Sequence, residues 1–269
     1  MPSSLRLGAA LREHWPEYLI EGWALGMFMI SASVFSTLLG YPGSPLVRVV
    51  QNEDVRRALV GVAMGSTAIA LIYSPWGKRS GAHMNPAVTL TFWGLKKIAG
   101  WDALFYIVAQ FTGGVLGVLL AAAVLRDPFT AVPVRYIATL PGTHGSIAAF
   151  FAEFGISALL MGVILRVSNS SRYARLTGLC AGALVAIYIA LEAPLSGMSM
   201  NPARSFASAY PTSHWQNFWI YLVAPILGMQ TAALGYVRWF GKRSVRCAKL
   251  LHPMEQRCIH CGYVPEESR

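Results

Sequence analysis

The chain has 269 residues, of which 55% are hydrophobic and only 13% are charged, yet its formal net charge is +10. A soluble domain carries roughly 25% charged residues, so too few polar side chains remain to cover a water-facing surface of this size. This composition argues against a soluble enzyme, a disordered chain and a nucleic-acid binder, because the basic residues lie between long apolar runs. A membrane protein is the class that fits.

Six apolar runs are long enough to cross a bilayer, which takes about 20 mostly apolar residues per helix. They cover residues 16–39, 57–75, 101–125, 146–167, 175–193 and 216–240. The N-terminal segment 1–15 contains charged residues and no cleavable signal-peptide pattern. The sequence therefore predicts an all-α membrane protein whose first span is its own targeting signal.

The basic residues predict the orientation. If the N-terminus is cytoplasmic, six spans place the C-terminus there too, and 16 of the 22 Lys and Arg residues then fall on the cytoplasmic side. This bias favours cytoplasmic termini in a plasma or inner membrane. The net charge thus reports topology, and it does not indicate an acidic partner or nucleic acid.

Small residues recur four positions apart within the spans, which allows the close helix contacts that membrane bundles rely on. We expect a tight six-helix bundle from these pairs: Gly22 with Gly26, Gly61 with Gly65, Gly113 with Gly117, Gly178 with Gly182, and, more weakly, Ala158 with Gly162 and Gly228 with Ala232.

Two short segments do not fit the six spans, and both begin with the same triplet. One starts at Asn85-Pro86-Ala87 and the other at Asn201-Pro202-Ala203. Each follows the second span of a three-span half, the halves covering about 16–125 and 146–240. Since three spans per half invert the second half, the pattern predicts an inverted repeat with broken helices at matching places.

The triplets have a physical interpretation as helix starts. Asn is a good N-cap and Pro suits the first helical position. In an inverted repeat the two half helices would enter from opposite faces and meet N-terminus to N-terminus near the midplane. Each N-terminus carries about +0.5 of an elementary charge, and each Asn is expected to turn its amide NH2 toward the point between them.

These features resemble the aquaporins of the major intrinsic protein family. The resemblance covers about residues 10–240 and includes the extended motifs Ser80–Thr89 and Gly197–Phe206. It implies a passive channel, not an enzyme, that conducts water and also small neutral solutes while excluding protons and ions. It further implies a homotetramer that requires no cofactor. The alternatives are a glycerol or small-solute facilitator and, from another class, an ion-coupled transporter, for which the spans show no charged coupling residues at the midplane.

The resemblance also implies a selectivity filter. Arg204 follows the second triplet, and ungapped offsets from the motif asparagines assign Gly65, Ile189 and Met198 to the other positions. Strict water channels of the family usually have an aromatic residue and a His at the first two of these. The expected filter is therefore wider and less polar, and replacing Gly65 with Phe should narrow it.

The same resemblance assigns two carboxylates and one imidazole to the re-entrant loops, which are the segments that lead into the two half helices. Glu21 and Glu153 lie early in the first span of each half. Each is expected to accept hydrogen bonds from loop backbone N–H groups and so brace its loop. His83 would do similar work in the first loop, or gate it.

The segment 241–269 is expected to be a basic cytoplasmic tail beyond the bundle. Its Cys258-Ile259-His260-Cys261 run resembles one knuckle of a zinc ribbon, and Cys247 and His252 would complete four ligands. Because a ribbon usually has two such knuckles, the alternative is a disordered tail with chance cysteines.

Overall fold

A computed structural model describes residues 7–252 and 257–264. In those residues the chain forms helices and no strand. In chain order the helices are α1 (Leu7–Gly40), α2 (Pro45–Val49), α3 (Glu53–Tyr73), α4 (Pro75–Ser80), α5 (Pro86–Gly94), α6 (Gly100–Leu125), α7 (Asp127–Thr130), α8 (Gly145–Ser168), α9 (Thr177–Leu191), α10 (Ala193–Ser196), α11 (Pro202–Thr212) and α12 (Phe218–Phe240). Six of them are long and apolar enough to cross a membrane, as the sequence predicts. They are α1, α3, α6, α8, α9 together with the turn before it, and α12.

The first helix is longer than its apolar run. It begins at Leu7 rather than near residue 16, so the predicted boundary at residue 15 does not divide the structure. The extension is held by buried polar contacts with the start of α6: His14 Nδ1 lies 2.9 Å from Asp102 Oδ1, and the Tyr18 hydroxyl donates to the same oxygen at 2.6 Å.

The pairing of the spans has the symmetry of an inverted repeat. In the first half α1 packs along α6, and in the second half α8 packs along α12 in the equivalent way. The middle spans of the two halves, α3 and α9, pack on each other. The bundle core therefore lies where the two halves meet.

Most of the small-residue pairs make the expected close contacts. A Cβ built on Gly26 would lie 2.9 Å from the carbonyl oxygen of Gly113, and one on Gly228 would lie 2.3 Å from that of Phe154. Gly162 is different, because a Cβ there would meet no atom within 4 Å. The prediction that Gly162 is a packing glycine is wrong, and α8 approaches Gly228 of α12 through the backbone of Phe154 and Ala158 instead.

Exposed tryptophans mark both ends of the bundle. At the end where α1 and α6 begin and α12 ends, they are Trp15, Trp76, Trp93, Trp101 and Trp239. At the opposite end they are Trp215 and Trp219. Tryptophan is enriched at membrane interfaces, so these rings mark the two levels at which lipid head groups meet the protein.

The tail folds back onto the bundle instead of lying beyond it, which corrects the sequence expectation. Val245, Ala248, Leu250 and Cys258 are each at most 3% exposed. The first three belong to the same apolar core as residues of α5 and α6, and Ile259 packs against it. Burial of these apolar side chains outweighs the basic character that suggested a solvated segment.

Candidate transmembrane pore

Two half helices start at the repeated triplets. Asn85 caps α5 by accepting from the N–H of Ala87 at 2.8 Å. Asn201 caps α11 by accepting from the N–H groups of Ala203 at 3.1 Å and Arg204 at 3.2 Å. In both helices Pro occupies the first turn, where its missing N–H leaves no bond unmade.

The two caps are tied to each other across the centre of the bundle. Asn85 Nδ2 donates to the carbonyl of Met200 at 2.7 Å, and Asn201 Nδ2 donates to the carbonyl of Met84 at 2.7 Å. These reciprocal bonds hold the two helix N-termini face to face. They also refine the expectation for the amides. One N–H of each side-chain NH2 donates to the opposite loop, and the second N–H remains available to the space between the two helix N-termini.

Glu21 braces the loop that precedes α5. Its Oε1 accepts from the Ser80 hydroxyl at 2.7 Å and the N–H of His83 at 3.0 Å. Its Oε2 accepts from the N–H of Met84 at 2.7 Å and from Gln110 Nε2 at 2.9 Å. The side chain is fully buried, and these four donors satisfy both of its oxygens, as burial of a polar group requires.

Glu153 makes the matching contacts with the loop that precedes α11. Its Oε1 accepts from the Ser196 hydroxyl at 2.8 Å and the N–H of Ser199 at 2.6 Å, and its Oε2 accepts from the N–H of Met200 at 2.7 Å. The geometry is that expected from the family resemblance for a bracing carboxylate.

Sequence reasoning missed two pairs of supporting hydroxyls. Ser80 and Ser196 both donate to the bracing glutamates, and both lie five positions before a motif Asn. Tyr106 and Tyr221 donate to the carbonyls of those serines at 2.7 and 2.6 Å. The equal spacing of the serines was a signal available in the sequence, and so was the presence of a Tyr near the start of the last span of each half.

Both loops carry left-handed backbone at matching positions. Ala82 and Met84 have φ of 54° and 49°, and Met198 and Met200 have φ of 49° and 53°. Such conformations cost roughly 1–3 kcal/mol each in residues other than Gly. The bonds from Glu21 and Glu153 to the loop N–H groups offset this strain and fix the direction of the loop carbonyls.

His83 connects the first loop to the tail. Its Nε2 donates to the carbonyl of Ala248 at 2.8 Å, and its Nδ1 lies 3.0 Å from the Thr89 hydroxyl. Both ring nitrogens are thus engaged in hydrogen bonds. The side chain is 3% exposed.

A cavity of about 250 Å³ lies between the half helices and the spans. Its walls come from α1, α3, α8, α9, both re-entrant loops and the tail, and both motif asparagines line it. Among the lining residues, Arg204 marks the part of the cavity that we call the filter side, and Leu250 marks the part that we call the tail side or tail-side mouth. The other lining residues include Leu25, Phe28, Val60, Met64, Ala68, Ile72, His83, Leu160, Ile164, Val185, Ile189, Met198 and Ser199.

The structure corrects one of the four expected filter residues. Ile189, Met198 and Arg204 line the cavity, but Gly65 does not, and Met64 takes its place. A Cβ on Gly65 would lie 2.5 Å from the carbonyl oxygen of Gly182 on α9, so this glycine is a helix contact. The ungapped offset failed because it runs back through the break between α3 and α4 at Ser74-Pro75, where the helical register is not preserved.

Arg204 is held by a residue that sequence reasoning missed. Its Nη1 donates to the hydroxyl of Thr139, which also accepts from Ser205 at 3.1 Å. Thr139 lies in the long connection between the two halves, where no motif marks it. The contact fixes the guanidinium in the cavity wall, with further N–H groups left to face the cavity.

The four candidate metal ligands of the tail are brought together on the tail side. Ligand atoms of Cys247, His252, Cys258 and Cys261 all lie within 4.8 Å of one another. Beside them, burial lowers the pKa of His260 to about 4, so this imidazole is neutral. Its Nε2 donates to the carbonyl of Ser80 at 3.1 Å.

Comparison with known proteins agrees with this geometry. The sequence model of the major intrinsic protein family matches residues 13–236. The chain is 36% identical over 195 residues to the probable aquaporin NIP4-2 of Arabidopsis thaliana, covering 72% of this chain and 67% of that protein. It is 34% identical over 211 residues to aquaporin NIP1-1 of Oryza sativa subsp. japonica, covering 77% and 72% respectively.

A solved structure shares the fold. The aquaglyceroporin from Plasmodium falciparum superimposes with a TM-score of 0.67 at 20% identity, covering 82% of this chain and 95% of that one. With this fold, with six candidate spans and with the family match extending over most of its length, the chain belongs to the major intrinsic protein family.

Proposed function

We propose that the protein is a passive channel that conducts water in single file and also admits small neutral solutes, while excluding protons and ions. The main support for this proposal is that two half-helix N-termini meet at one point of a single cavity. Each is capped by an Asn whose side-chain amide donates one N–H to the opposite loop and keeps a second N–H for a ligand in the cavity.

At this point the chemistry suits a water molecule that accepts two hydrogen bonds. A water oxygen that accepts from Asn85 and Asn201 has its lone pairs engaged by the protein. Its own hydrogens then point along the file, so it cannot also accept the bond from a neighbour that would continue a proton wire through the centre. The positive ends of α5 and α11 raise the energy of any cation at the same place.

The filter sets which solutes pass. Arg204 supplies a fixed positive charge and hydrogen-bond donors, while Met64, Ile189 and Met198 form apolar walls. An uncharged molecule with hydroxyls on one side and carbon on the other matches this surface. The combination of a donor-bearing wall and an apolar wall favours the second candidate function, a glycerol or small-solute facilitator, as an activity alongside water conduction.

The experiment uses vesicles that contain purified protein, subjected to rapid osmotic challenge. Shrinkage in an impermeant sugar measures water flux, and reswelling in glycerol measures solute flux. The proposal requires water flux well above that of empty vesicles. A glycerol flux that exceeds that of empty vesicles identifies the second activity, and glycerol flux without water flux contradicts the main proposal.

Met64→Ala tests the corrected filter position. Removing this side chain widens the wall opposite Arg204, so glycerol flux should increase relative to water flux. The matched control is Met27→Ala, because Met27 lies on α1 with 40% of its surface exposed and does not line the cavity. Equal flux ratios in the two variants would show that Met64 is not part of the filter.

Further features of the protein are proposed on the same basis. Its termini are cytoplasmic in a plasma or inner membrane, it has no enzymatic activity, and it assembles as a homotetramer. Exposed apolar side chains on the outer faces of the spans, such as Val124, Ile147 and Leu234 at 71–76%, support burial against lipid or neighbouring subunits. The mass of the protein in detergent, corrected for bound detergent, tests the tetramer.

A further inference from the structure

Four side chains of the tail converge at one point although they are spread over fifteen positions of the sequence. Cys247 Sγ lies 3.5 Å from Cys258 Sγ, and His252 Nε2 lies 3.1 Å from Cys261 Sγ. Cys247 and Cys258 are buried, while Cys261 is exposed. Three thiols and one imidazole are thus presented to a common centre.

The spacing suits tetrahedral zinc. With zinc–sulfur bonds of about 2.3 Å, two sulfurs of a tetrahedral site lie roughly 3.8 Å apart, and a sulfur and a nitrogen slightly closer. The observed distances are near these values without movement of the backbone. A Cys₃His set is moreover one of the usual structural zinc sites.

The backbone between the last two cysteines has the form of a closed turn. Gly262 donates its N–H to the carbonyl of Cys258 at 3.0 Å, and Cys258 donates to the carbonyl of Tyr263 at 2.9 Å. Gly262 has φ of 75°, which glycine adopts without penalty. This turn points Cys258 and Cys261 in the same direction, as a two-cysteine metal knuckle requires.

The tail has little regular structure to hold it in place. After a short 3₁₀ turn at Lys242–Ser244, its described residues 245–252 and 257–264 form no helix or strand. Ordering such a segment costs backbone conformational entropy. A metal ion that joins both ends of the segment supplies the binding free energy to offset that cost.

The residues between the ligands Cys247 and His252 contact the first re-entrant loop. Ala248 accepts from His83, Leu250 donates its N–H to the carbonyl of Gly81 at 3.2 Å, and Lys249 Nζ donates to the carbonyl of Lys78 at 3.0 Å. The Leu250 side chain is 3% exposed and lies in the cavity wall. The candidate metal site is therefore connected, two residues away, to the tail-side mouth of the cavity.

We propose that Cys247, His252, Cys258 and Cys261 bind one zinc ion, and that this ion holds Leu250 in the tail-side mouth so that the zinc-loaded channel conducts more slowly than the zinc-free one. The three thiols lose their protons to solvent when the ion binds. The zinc site is inferred from tail residues alone, whereas the effect on conduction rests on the proposed function.

The first experiment measures metal in the purified full-length protein, after dialysis against a weak chelator. We expect one zinc per chain, and after exchange for cobalt an absorption spectrum with thiolate charge-transfer bands and the intense visible bands of a tetrahedral ion. The double variant Cys258→Ser, Cys261→Ser should retain no metal. The control Cys180→Ser changes a cysteine of α9 outside the cluster and should bind as the unchanged protein does.

Two results would overturn the site. One is unchanged protein that retains no zinc and shows no cobalt–thiolate bands, a measurement that requires no variant to fold. The other is a double variant that holds as much metal as the Cys180→Ser control, which would place the metal elsewhere.

The second experiment compares water flux in vesicles made from zinc-loaded and zinc-stripped protein. Because apolar constrictions limit conduction, we expect removal of zinc to raise water flux roughly threefold. Leu250→Ala should raise the flux of the zinc-loaded form, whereas Val264→Ala, at an exposed tail position outside the cavity wall, should not.

The outcomes separate the parts of the proposal. Equal flux with and without verified zinc contradicts the effect on the mouth and leaves the zinc site standing. No flux in either form contradicts the proposed function together with the effect on the mouth, while the zinc count still decides the site.

Discussion

Two buried carboxyl groups accept the hydrogen bonds that water would otherwise accept from backbone N–H groups of the two re-entrant loops. Each loop exposes backbone N–H groups at a depth where water is scarce, and an unpaired one costs several kcal/mol in such surroundings. Glu21 and Glu153 each accept from two consecutive N–H groups and from one serine hydroxyl. Each glutamate therefore supplies the acceptor oxygens that fix a strained loop.

Glu153→Gln tests this role. One end of the Gln amide becomes a donor, and in either orientation it meets an N–H of Ser199 or Met200 that needs an acceptor. Loss of this hydrogen bond leaves a buried N–H unpaired and should destabilise the fold by about 1–3 kcal/mol. Denaturant unfolding in mixed micelles measures this, with Glu13→Gln on an exposed position of α1 as the control. Equal stability of the two variants would show that Glu153 does not brace the loop.

Some residues of the site could be predicted from the sequence and others could not. The motif asparagines and both glutamates could be assigned because they recur at equivalent places in the two halves, and Arg204 could be assigned because it directly follows the second triplet. Gly65 was assigned by counting along the chain, and that count fails where Pro75 starts a new helix. Thr139, which accepts from Arg204, belongs to an irregular connection and follows no repeat.

At the scale of elements, glycines determine how closely the two middle spans approach. On α3, Cβ atoms at Gly61 and Gly65 would each lie 2.5 Å from a carbonyl oxygen of α9. Membrane helices associate through such close packing because lipid supplies no hydrophobic drive between them. The same contact turns Met64 toward the cavity, so packing of α3 against α9 also shapes the cavity wall.

Gly65→Ala should separate α3 from α9. The added methyl group has no space at the contact, and overpacking costs about 1–3 kcal/mol. The matched control is Gly162→Ala on α8, where a Cβ meets nothing within 4 Å and Ala is the better helix former by about 1 kcal/mol. Unfolding of both variants in mixed micelles checks the difference, and a Gly65 variant as stable as the Gly162 variant would contradict the contact.

The six spans and both half helices could be predicted because apolar length and the Asn-Pro-Ala triplets are local signals. The start of α1 could not, because it depends on a contact between His14 and Asp102, which are far apart in the sequence. The fold of the tail was also missed, since its six Lys and Arg residues suggested a solvated segment and its apolar side chains show no helical or strand period.

At the scale of the whole molecule, the inverted repeat makes the protein symmetric in structure but not in charge. The end that carries the tail also has most of the Lys and Arg residues, and by the positive-inside rule it is the end that we propose to be cytoplasmic. A fluorescent protein fused to the C-terminus should therefore fluoresce in bacterial cells, and alkaline phosphatase at the same place should be inactive. Active phosphatase would reverse the orientation.

The most direct test of the account measures water and proton flux in the same vesicles. Purified protein is reconstituted with a pH-sensitive dye inside, and the vesicles receive an osmotic step and a pH step. Two Asn-capped helix N-termini at the centre of the cavity predict fast water flux and a proton leak no greater than that of empty vesicles. Water flux equal to that of empty vesicles, or a proton leak that rises with water flux, would contradict it.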